Sequence, residues 1–255
     1  MTNDTHKQNQ KQYSKNAAGY VTSKVHATGG SLDRLVALTE PQPDWRVLDI
    51  ATGGGHTARH FAAFVAGVIA TDLTMPMLLS AREATTDGGL IFAEAAAEAL
   101  PFLSESFDLV TCRIAPHHFA DMQAFMTESV RVLKSGGLLA IADNIVSGIR
   151  DEGAYINTLE KLRDPSHQQA YSQDDWSTFY FQAGLTMEKM ETLEKRIDLA
   201  PWLDRAGISD PDERARLTSM IVQAPDAMLA WLKPEGTGES ISFALTEGVF
   251  IGRKP

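Results

Sequence analysis

The chain carries a single cysteine, Cys112, among 255 residues. One thiol makes neither an intrachain disulfide nor a cysteine metal cluster, and it suits a reducing cytoplasm. Basic residues are in the minority: 23 Lys and Arg stand against 33 Asp and Glu, for a net charge of −10. Nucleic-acid binding needs clustered Lys and Arg against phosphates, and no run in this sequence supplies them. No apolar stretch approaches the ~18 residues of a membrane span. The N-terminus lacks the charged-then-apolar form of a signal peptide. Internal repeats and low-complexity tracts are missing too. The expectation is a cytoplasmic chain that binds no nucleic acid and does not span a membrane.

Core material is plentiful, at 44% hydrophobic residues, and residues 46–72 organise it. Val47, Leu48 and Ile50 form a short apolar run that suits a strand buried on both faces. Gly53, Gly54 and Gly55 break that run. Three glycines allow a sharp turn and let a ligand touch backbone N–H groups with no Cβ in the way. Over 57–66, Ala58, Phe61, Ala62 and Val65 recur at helical spacing, and Gly67 stops the helix. A second apolar strand, 68–70, ends in Thr71 and Asp72. Strand, glycine turn, helix and acid-ended strand make the nucleotide half of a doubly wound α/β fold.

Two ligand classes use such a unit. Gly53-x-Gly55-x-x-Ala58 matches the dinucleotide fingerprint, with Asp72 about 20 residues on to hold a ribose hydroxyl. Asp49, four positions before the first glycine, argues the other way. A carboxylate pointing into the crevice would repel a pyrophosphate and attract a cationic, phosphate-free nucleoside. S-adenosylmethionine (SAM) is such a ligand.

Along the rest of the chain, residues 1–12 are polar and expected to fray. Tyr13 and Tyr20, His26 and a Gly29-Gly30 pair precede a helix capped by Ser31. The segment before the first strand reads as a lid or an ordinary packing helix. After Asp72 come a helix from Pro76 to about residue 84, a third strand over 90–93 and a fourth over 107–115. A helix over 122–133, a Ser135-Gly136-Gly137 turn and a fifth strand over 138–142 follow. This alternation implies a parallel sheet with right-handed crossovers. Beyond Asn144 the pattern becomes helical, with strands over 186–195 and 241–251. The whole reads as one domain, 1–255: a lid or helix at 1–40, a cofactor-binding core at 41–146, helical cap insertions at 147–185 and 199–238, and a final strand within 239–255.

At this point the chain resembles the class I SAM-dependent methyltransferases, in particular the small-molecule branch that includes ubiquinone/menaquinone-biosynthesis enzymes. The stretches that carry the resemblance are VLDIATGGGHTA (47–58), ATDLT (70–74), AEALPF (97–102), FDLVTCRIAPHHF (107–119), RVLKSGG (131–137) and RDPSH (163–167). It implies a Rossmann-like, doubly wound, seven-stranded sheet whose last strand is antiparallel. It also implies SAM as cofactor, with S-adenosylhomocysteine as product. Asp49 and the turn Ala51, Thr52, Gly53 and Gly55 would line the amino-acid end of SAM. Asp72 would take the ribose hydroxyls, with Leu73 and Met77 beside the adenine. Arg113 and Ile114 would meet the methionine part, and Tyr20 joins the cofactor set from the lid. The resemblance usually brings an acid at the position of Ala96, next to Ala97, to bind the adenine amino group. Here that acid is missing, and Ala51 stands where glycine is common.

Methyl transfer needs an acceptor held in line at about 3–3.5 Å in a dry pocket, and a base where the acceptor must lose a proton. Reactive groups belong at the carboxyl ends of the strands. His117 and His118 follow the fourth strand, and His26 and His167 are further candidates from the resemblance. Each has an ordinary alternative as a packing or capping histidine. Asp143 and Asn144 orient a substrate or serve as loop polarity. No pair of histidines has metal-ligand spacing, so no metal is expected. Trp176, Phe179, Tyr180 and Phe181, with Trp202 and Trp231, read as helix core or as the cover of an aromatic or lipid-like acceptor. The sequence leaves open a homodimer, a nicotinamide-dependent oxidoreductase and a non-catalytic SAM-binding module.

Overall fold

The computed structural model describes residues 2–14, 17, 19, 29–85 and 89–255. Its strands are β1 (Arg46–Ile50), β2 (Gly67–Asp72), β3 (Leu90–Glu94), β4 (Phe107–Arg113), β5 (Leu133–Asn144), β6 (Thr186–Asp198) and β7 (Ser242–Arg253). Among the described residues they form one seven-stranded sheet in the order β3-β2-β1-β4-β5-β7-β6. The first five are parallel, and β7 runs antiparallel to both β5 and β6. The strand order reverses between β1 and β4. In open α/β sheets ligands bind beyond the strand ends at such a point.

The buried strands send alternate side chains to opposite faces. On one face Val47, Ala70 and Leu109 pack with Leu35 of α2 (Gly30–Thr39) and with Ala58 and Phe61 of α3 (His56–Ala62). On the other, Leu48, Ile50, Val110 and Cys112 meet Phe125 and Met126 of α5 (Met122–Val132) and Trp176 and Tyr180 of α7 (Gln173–Gln182). Cys112 is therefore a core residue, with its thiol pushed well up by burial. Helix α4 (Met75–Glu83) covers β2 and β3.

Three expectations are corrected here. Helix α3 stops at Ala62, four residues early. Strand β5 begins at Leu133 and runs through Ser135-Gly136-Gly137, which does not break it. Gly136 N–H donates to the Lys254 carbonyl at 2.9 Å, and Lys254 N–H donates to the Gly137 carbonyl at 2.9 Å. A Cβ on Gly137 would lie 2.9 Å from the Lys134 carbonyl, so this glycine permits a close backbone approach. Within 147–185, α6 (Arg150–Arg163) packs with the helices of 199–232. Helix α7 covers the sheet itself: Trp176 stacks on Phe250 at 5.3 Å, and the Tyr180 hydroxyl donates to the Phe250 carbonyl at 3.0 Å. Phe181 faces solvent, so this aromatic run does not cover an acceptor.

A separate core lies among α6, the helices of 199–232 and the start of β7. Ile156 and Leu159 of α6 pack with Trp202 of α8 (Leu199–Ala206), Leu217 of α9 (Pro211–Val222), Met228 of α10 (Asp226–Leu232) and Phe243 of β7. Helix α1 (Thr2–Ser14) is polar, and of residues 4–14 only Asn9 is buried. Tyr20 and His26 lie outside the described residues.

Candidate functional site

The first wall of the site is the β1 turn. Ala51 has φ +52°, Gly53 +54° and Gly55 +78°. A left-handed conformation costs a residue with a Cβ roughly 1–2 kcal/mol, so Ala51 carries strain that a glycine would not. A Cβ on Gly55 would come within 2.7 Å of Arg59 Nη1 and 3.1 Å of the Ala81 Cβ. At the end of β4, Ile114 is also left-handed, with φ +52°. A β-branched residue is seldom found there, and such outliers gather at functional sites.

Asp49 does not face the crevice. It is 1% exposed and lies beneath the turn. The Thr52 hydroxyl donates to Asp49 Oδ2 at 2.6 Å, and the Thr111 hydroxyl donates to Oδ1 at 2.7 Å. Burial pushes the Asp49 pKa up to about 6, against the opposing pull of the two hydroxyls and Arg113. The threonine three residues after Asp49 and the one paired with it across β4 draw the carboxylate inward. Its part in the site is to brace the turn through Thr52.

Asp72 opens on the cavity. Gly53 N–H donates to Asp72 Oδ2 at 2.9 Å, and Thr74 N–H donates to Oδ1 at 2.9 Å. Burial raises its pKa, opposed by these N–H groups. Each carboxylate oxygen retains acceptor capacity. Arg113 adds a buried cation: Nε donates to the Thr57 hydroxyl at 3.2 Å, and Nη1 to the Ser31 hydroxyl at 3.4 Å. Burial lowers its pKa, while Glu247 and Asp49 hold it up.

Beyond β4, a single 3-10 turn (Pro116–His118) presents two histidines in different states. His117 Nδ1 donates to Asp143 Oδ1 at 2.6 Å, and its backbone N–H donates to Asp143 Oδ2 at 2.9 Å. Burial alone would lower its pKa, but the charge and hydrogen bond of Asp143, with Glu160 and Asp164 behind, leave it raised. His118 is held on both nitrogens: Nε2 is 2.6 Å from the Tyr13 hydroxyl, and Nδ1 is 3.3 Å from the Ser166 hydroxyl. Burial and the neighbouring His117 lower its pKa to about 3. His167 Nε2 is 2.8 Å from Asn157 Oδ1, and burial with His117 and His118 lowers its pKa to about 2. No group of three His, Cys, Asp or Glu among the described residues is arranged to hold a metal ion.

One cavity of about 200 Å3 joins these walls. Ala51, Thr52, Gly53, Asp72, Leu73, Met77, Ala97, Arg113, Ile114, His117, His118 and His167 all line it. Asp49, Gly55 and Ala96 are absent from the lining. Asp49 is turned inward and Gly55 lies against Arg59 and Ala81. Ala96 spends its carbonyl on Ala99 N–H at 3.2 Å. Glu160 and Arg163 of α6, Asp164 just after it, Lys195 of β6, and Trp202 and Arg205 of α8 also line the cavity. Asn9 and Tyr13 of α1 line the cavity as well, and residues 2–12, expected to fray, are helical instead.

A sheet of this order, with a cavity over the carboxyl ends of β1, β2 and β4, is the Rossmann-like fold of the methyltransferases. The sequence profile of the Methyltransferase domain family matches residues 48–141. The chain is 32% identical over 260 residues, the full length of both proteins, to the uncharacterized methyltransferase YcgJ of Bacillus subtilis. It belongs to this methyltransferase family. The crystal structure of BH2331 from Bacillus halodurans aligns at a TM-score of 0.84 and 34% identity, over 89% of this chain and 100% of that one. A shorter match, 38% over 109 residues, covers 40% of this chain and 43% of a ubiquinone/menaquinone biosynthesis C-methyltransferase of Stenotrophomonas maltophilia. No described helix is long and apolar enough to cross a membrane.

Proposed function

We propose that this protein transfers a methyl group from SAM to a small-molecule acceptor, and that His117 takes the acceptor's proton. The observation that carries the reading is the meeting, in one cavity, of the Asp72 carboxylate and glycine turn with the His117–Asp143 pair. The residues present suit SAM. A carboxylate with spare acceptor capacity matches ribose hydroxyls, and backbone around Gly53 is bare of side chains. Leu73, Met77 and Ala97 offer an apolar slot for adenine. The Arg113 guanidinium complements the carboxylate of the methionine part, beside Ile114. Asp49 acts at one remove, through Thr52.

SAM, when bound, supplies a methyl already activated by a sulfonium. This chain has to hold the acceptor in line, exclude water and manage one proton. Asp143 fixes the ring of His117 through Nδ1, which leaves Nε2 for the cavity. With cofactor and acceptor bound, the proton lost by the acceptor would pass to His117 Nε2, while the glycine turn, Asp72 and Arg113 would hold the cofactor in place. Among the histidines considered, His117 suits this role because Asp143 stabilises its charged form. His118 and His167 are held neutral by burial.

The cap end favours an acceptor with both polar and apolar parts. Arg163, Lys195 and Arg205 stand there with Glu160 and Asp164, beside Trp202, Ile197 and Leu245. The test is incubation with SAM and a metabolite library, read as release of S-adenosylhomocysteine. Turnover that falls with His117→Ala supports the reading, and turnover unaffected by that change removes His117 from it.

A further inference from the structure

Asp164, Ser166, His118 and Tyr13 form a hydrogen-bonded row beside His117. Asp164 Oδ1 lies 2.5 Å from the Ser166 hydroxyl and accepts the Ser166 N–H at 2.8 Å. The Ser166 hydroxyl lies 3.3 Å from His118 Nδ1, and His118 Nε2 lies 2.6 Å from the Tyr13 hydroxyl. The hydrogens along this row can be placed from one end.

Burial works against the charge on Asp164, but His118, Ser166 and Arg163 outweigh it and lower its pKa. An ionised carboxylate only accepts. The single hydroxyl hydrogen of Ser166 therefore goes to Asp164, and the Ser166 oxygen accepts from His118 Nδ1. A neutral imidazole carries one N–H. With that hydrogen on Nδ1, His118 Nε2 offers a lone pair, and the Tyr13 hydroxyl donates to it. A charged His118 would reverse this last bond, and its pKa of about 3 keeps it neutral.

The direction of that bond decides what Tyr13 can do. Tyr13 and His118 are both half-buried, and both line the cavity. A phenolic hydroxyl has one hydrogen and further acceptor capacity. Its hydrogen is committed to His118, so toward the cavity Tyr13 only accepts. Neutral His117, its Nδ1 hydrogen held by Asp143, also only accepts at Nε2. The rings of His117 and His118 are 4.1 Å apart between centroids, which places both acceptors in one corner of the cavity. A molecule seated there has to bring two hydrogens: one that His117 removes, and one that stays in a hydrogen bond.

We infer that the Tyr13 hydroxyl oxygen accepts a hydrogen bond from a second N–H or O–H of the methyl acceptor, beside the one that His117 deprotonates. Tyr13 is then a substrate-binding residue supplied by α1, and His118, Ser166 and Asp164 are the positioning residues that aim it. The acceptor class is a molecule with two such hydrogens close together: a primary amine, or neighbouring hydroxyl or amine groups. The inference rests on the methyl-transfer reading above.

The test uses the full chain, SAM and the compound of the metabolite library that wild type methylates. Tyr13→Phe keeps the ring and its edge contact with His118, at 5.3 Å between centroids, and removes the hydroxyl. It is expected to lower kcat/KM for that compound by about tenfold, the usual scale of one hydrogen bond lost in a closed site. Its affinity for S-adenosylhomocysteine, by calorimetry, is expected to stay at the wild-type value. An analogue lacking the second N–H or O–H is expected to lose about tenfold with wild type. Wild type and Tyr13→Phe are expected to turn that analogue over equally. The mass spectrum of the product tells a methylated amine from a methylated hydroxyl. In 15N-detected NMR at neutral pH, His118 is expected to carry its hydrogen on Nδ1, and Ser166→Ala is expected to release that preference. Wild-type kcat/KM in Tyr13→Phe overturns the inference. An equal fall in S-adenosylhomocysteine affinity overturns it as well, because Tyr13 would then act only by docking α1. So does a His118 with its hydrogen on Nε2, since Tyr13 would then be the recipient of that bond. Wild type that releases no S-adenosylhomocysteine with any compound overturns the methyl-transfer reading itself, and the Tyr13 contact with it.

Discussion

His117 Nδ1 stands 2.6 Å from Asp143 Oδ1, and this contact ties together the ends of two adjacent strands. Arg113 of β4 pairs with Ala142 of β5, so the chain beyond each strand emerges at the same edge of the sheet. The histidine arrives four residues past one strand end, while the aspartate is the next residue along the other strand. The backbone N–H of His117 also reaches Asp143, so the turn and the ring are held by one carboxylate.

This pair has a pH signature. The raised pKa of His117 means that its interaction with Asp143 stabilises the folded chain fully below the unfolded histidine value of about 6.5. That contribution is lost as pH rises through the folded value. In 15N-detected NMR titration, His117 is expected to titrate above 6.5 and to keep its proton on Nδ1 when neutral. Asp143→Asn is expected to lower its titration point. The stability difference between wild type and Asp143→Asn is expected to be larger at pH 6 than at pH 9. A His117 that titrates below 6.5 in wild type contradicts the assignment.

Asp49 makes a second pH prediction, of the same sign but in a lower pH window. Its folded pKa, about 6, lies above the unfolded value of about 3.9. Its contribution to stability is full below about 3.9 and is lost as pH rises from there through about 6. Thr52→Val and Thr111→Val each remove a hydroxyl that holds this carboxylate. Each is expected to cost about 1–3 kcal/mol in urea unfolding. The loss is expected to be greater at pH 7.5, where Asp49 is charged, than at pH 5. Equal losses at the two pH values contradict a charged Asp49 beneath the turn.

Asp72→Ala is expected to weaken S-adenosylhomocysteine binding by at least about tenfold, because two ribose hydroxyls lose their acceptor. The backbone N–H groups of Gly53 and Thr74 lose theirs too, so a fall in thermal midpoint is expected alongside. Calorimetry with the variant checks the first effect and thermal unfolding the second. An unchanged dissociation constant removes Asp72 from the cofactor site.

Deleting residues 1–14 separates lid from core. Helix α1 adds little apolar burial, so the thermal midpoint is expected to move by less than about 4 °C, the shift that corresponds to roughly 1–2 kcal/mol in a chain of this size. Affinity for S-adenosylhomocysteine is expected to fall at least about tenfold. Collapse of the fold with the deletion contradicts the lid role.

Much of the cofactor wall was legible because its chemistry is local. The run from Val47 to Asp72 spells strand, turn, helix and strand in consecutive residues, and its glycines announce the turn. Even there the direction of Asp49 was hidden, since it depends on Thr111, 62 residues away. The choice between His117 and His118 was beyond the sequence for the same reason. Adjacent in the chain, they are told apart by Asp143 on one and by Tyr13 and Ser166 on the other. Trp176 and Tyr180 sat in a region that changed pattern, and their place on the sheet comes from pairing with β7. The approach of Asn9 and Tyr13 to His118 was hidden in the same way, across 109 and 105 residues.

The central claim is that this cavity takes a phosphate-free, cationic nucleoside. Parallel calorimetric titration of the wild-type chain with SAM, S-adenosylhomocysteine and NAD tests it most directly. Saturable one-to-one binding of the first two, with no heat from NAD, is the expected result. Tight NAD binding with no response to SAM would contradict it.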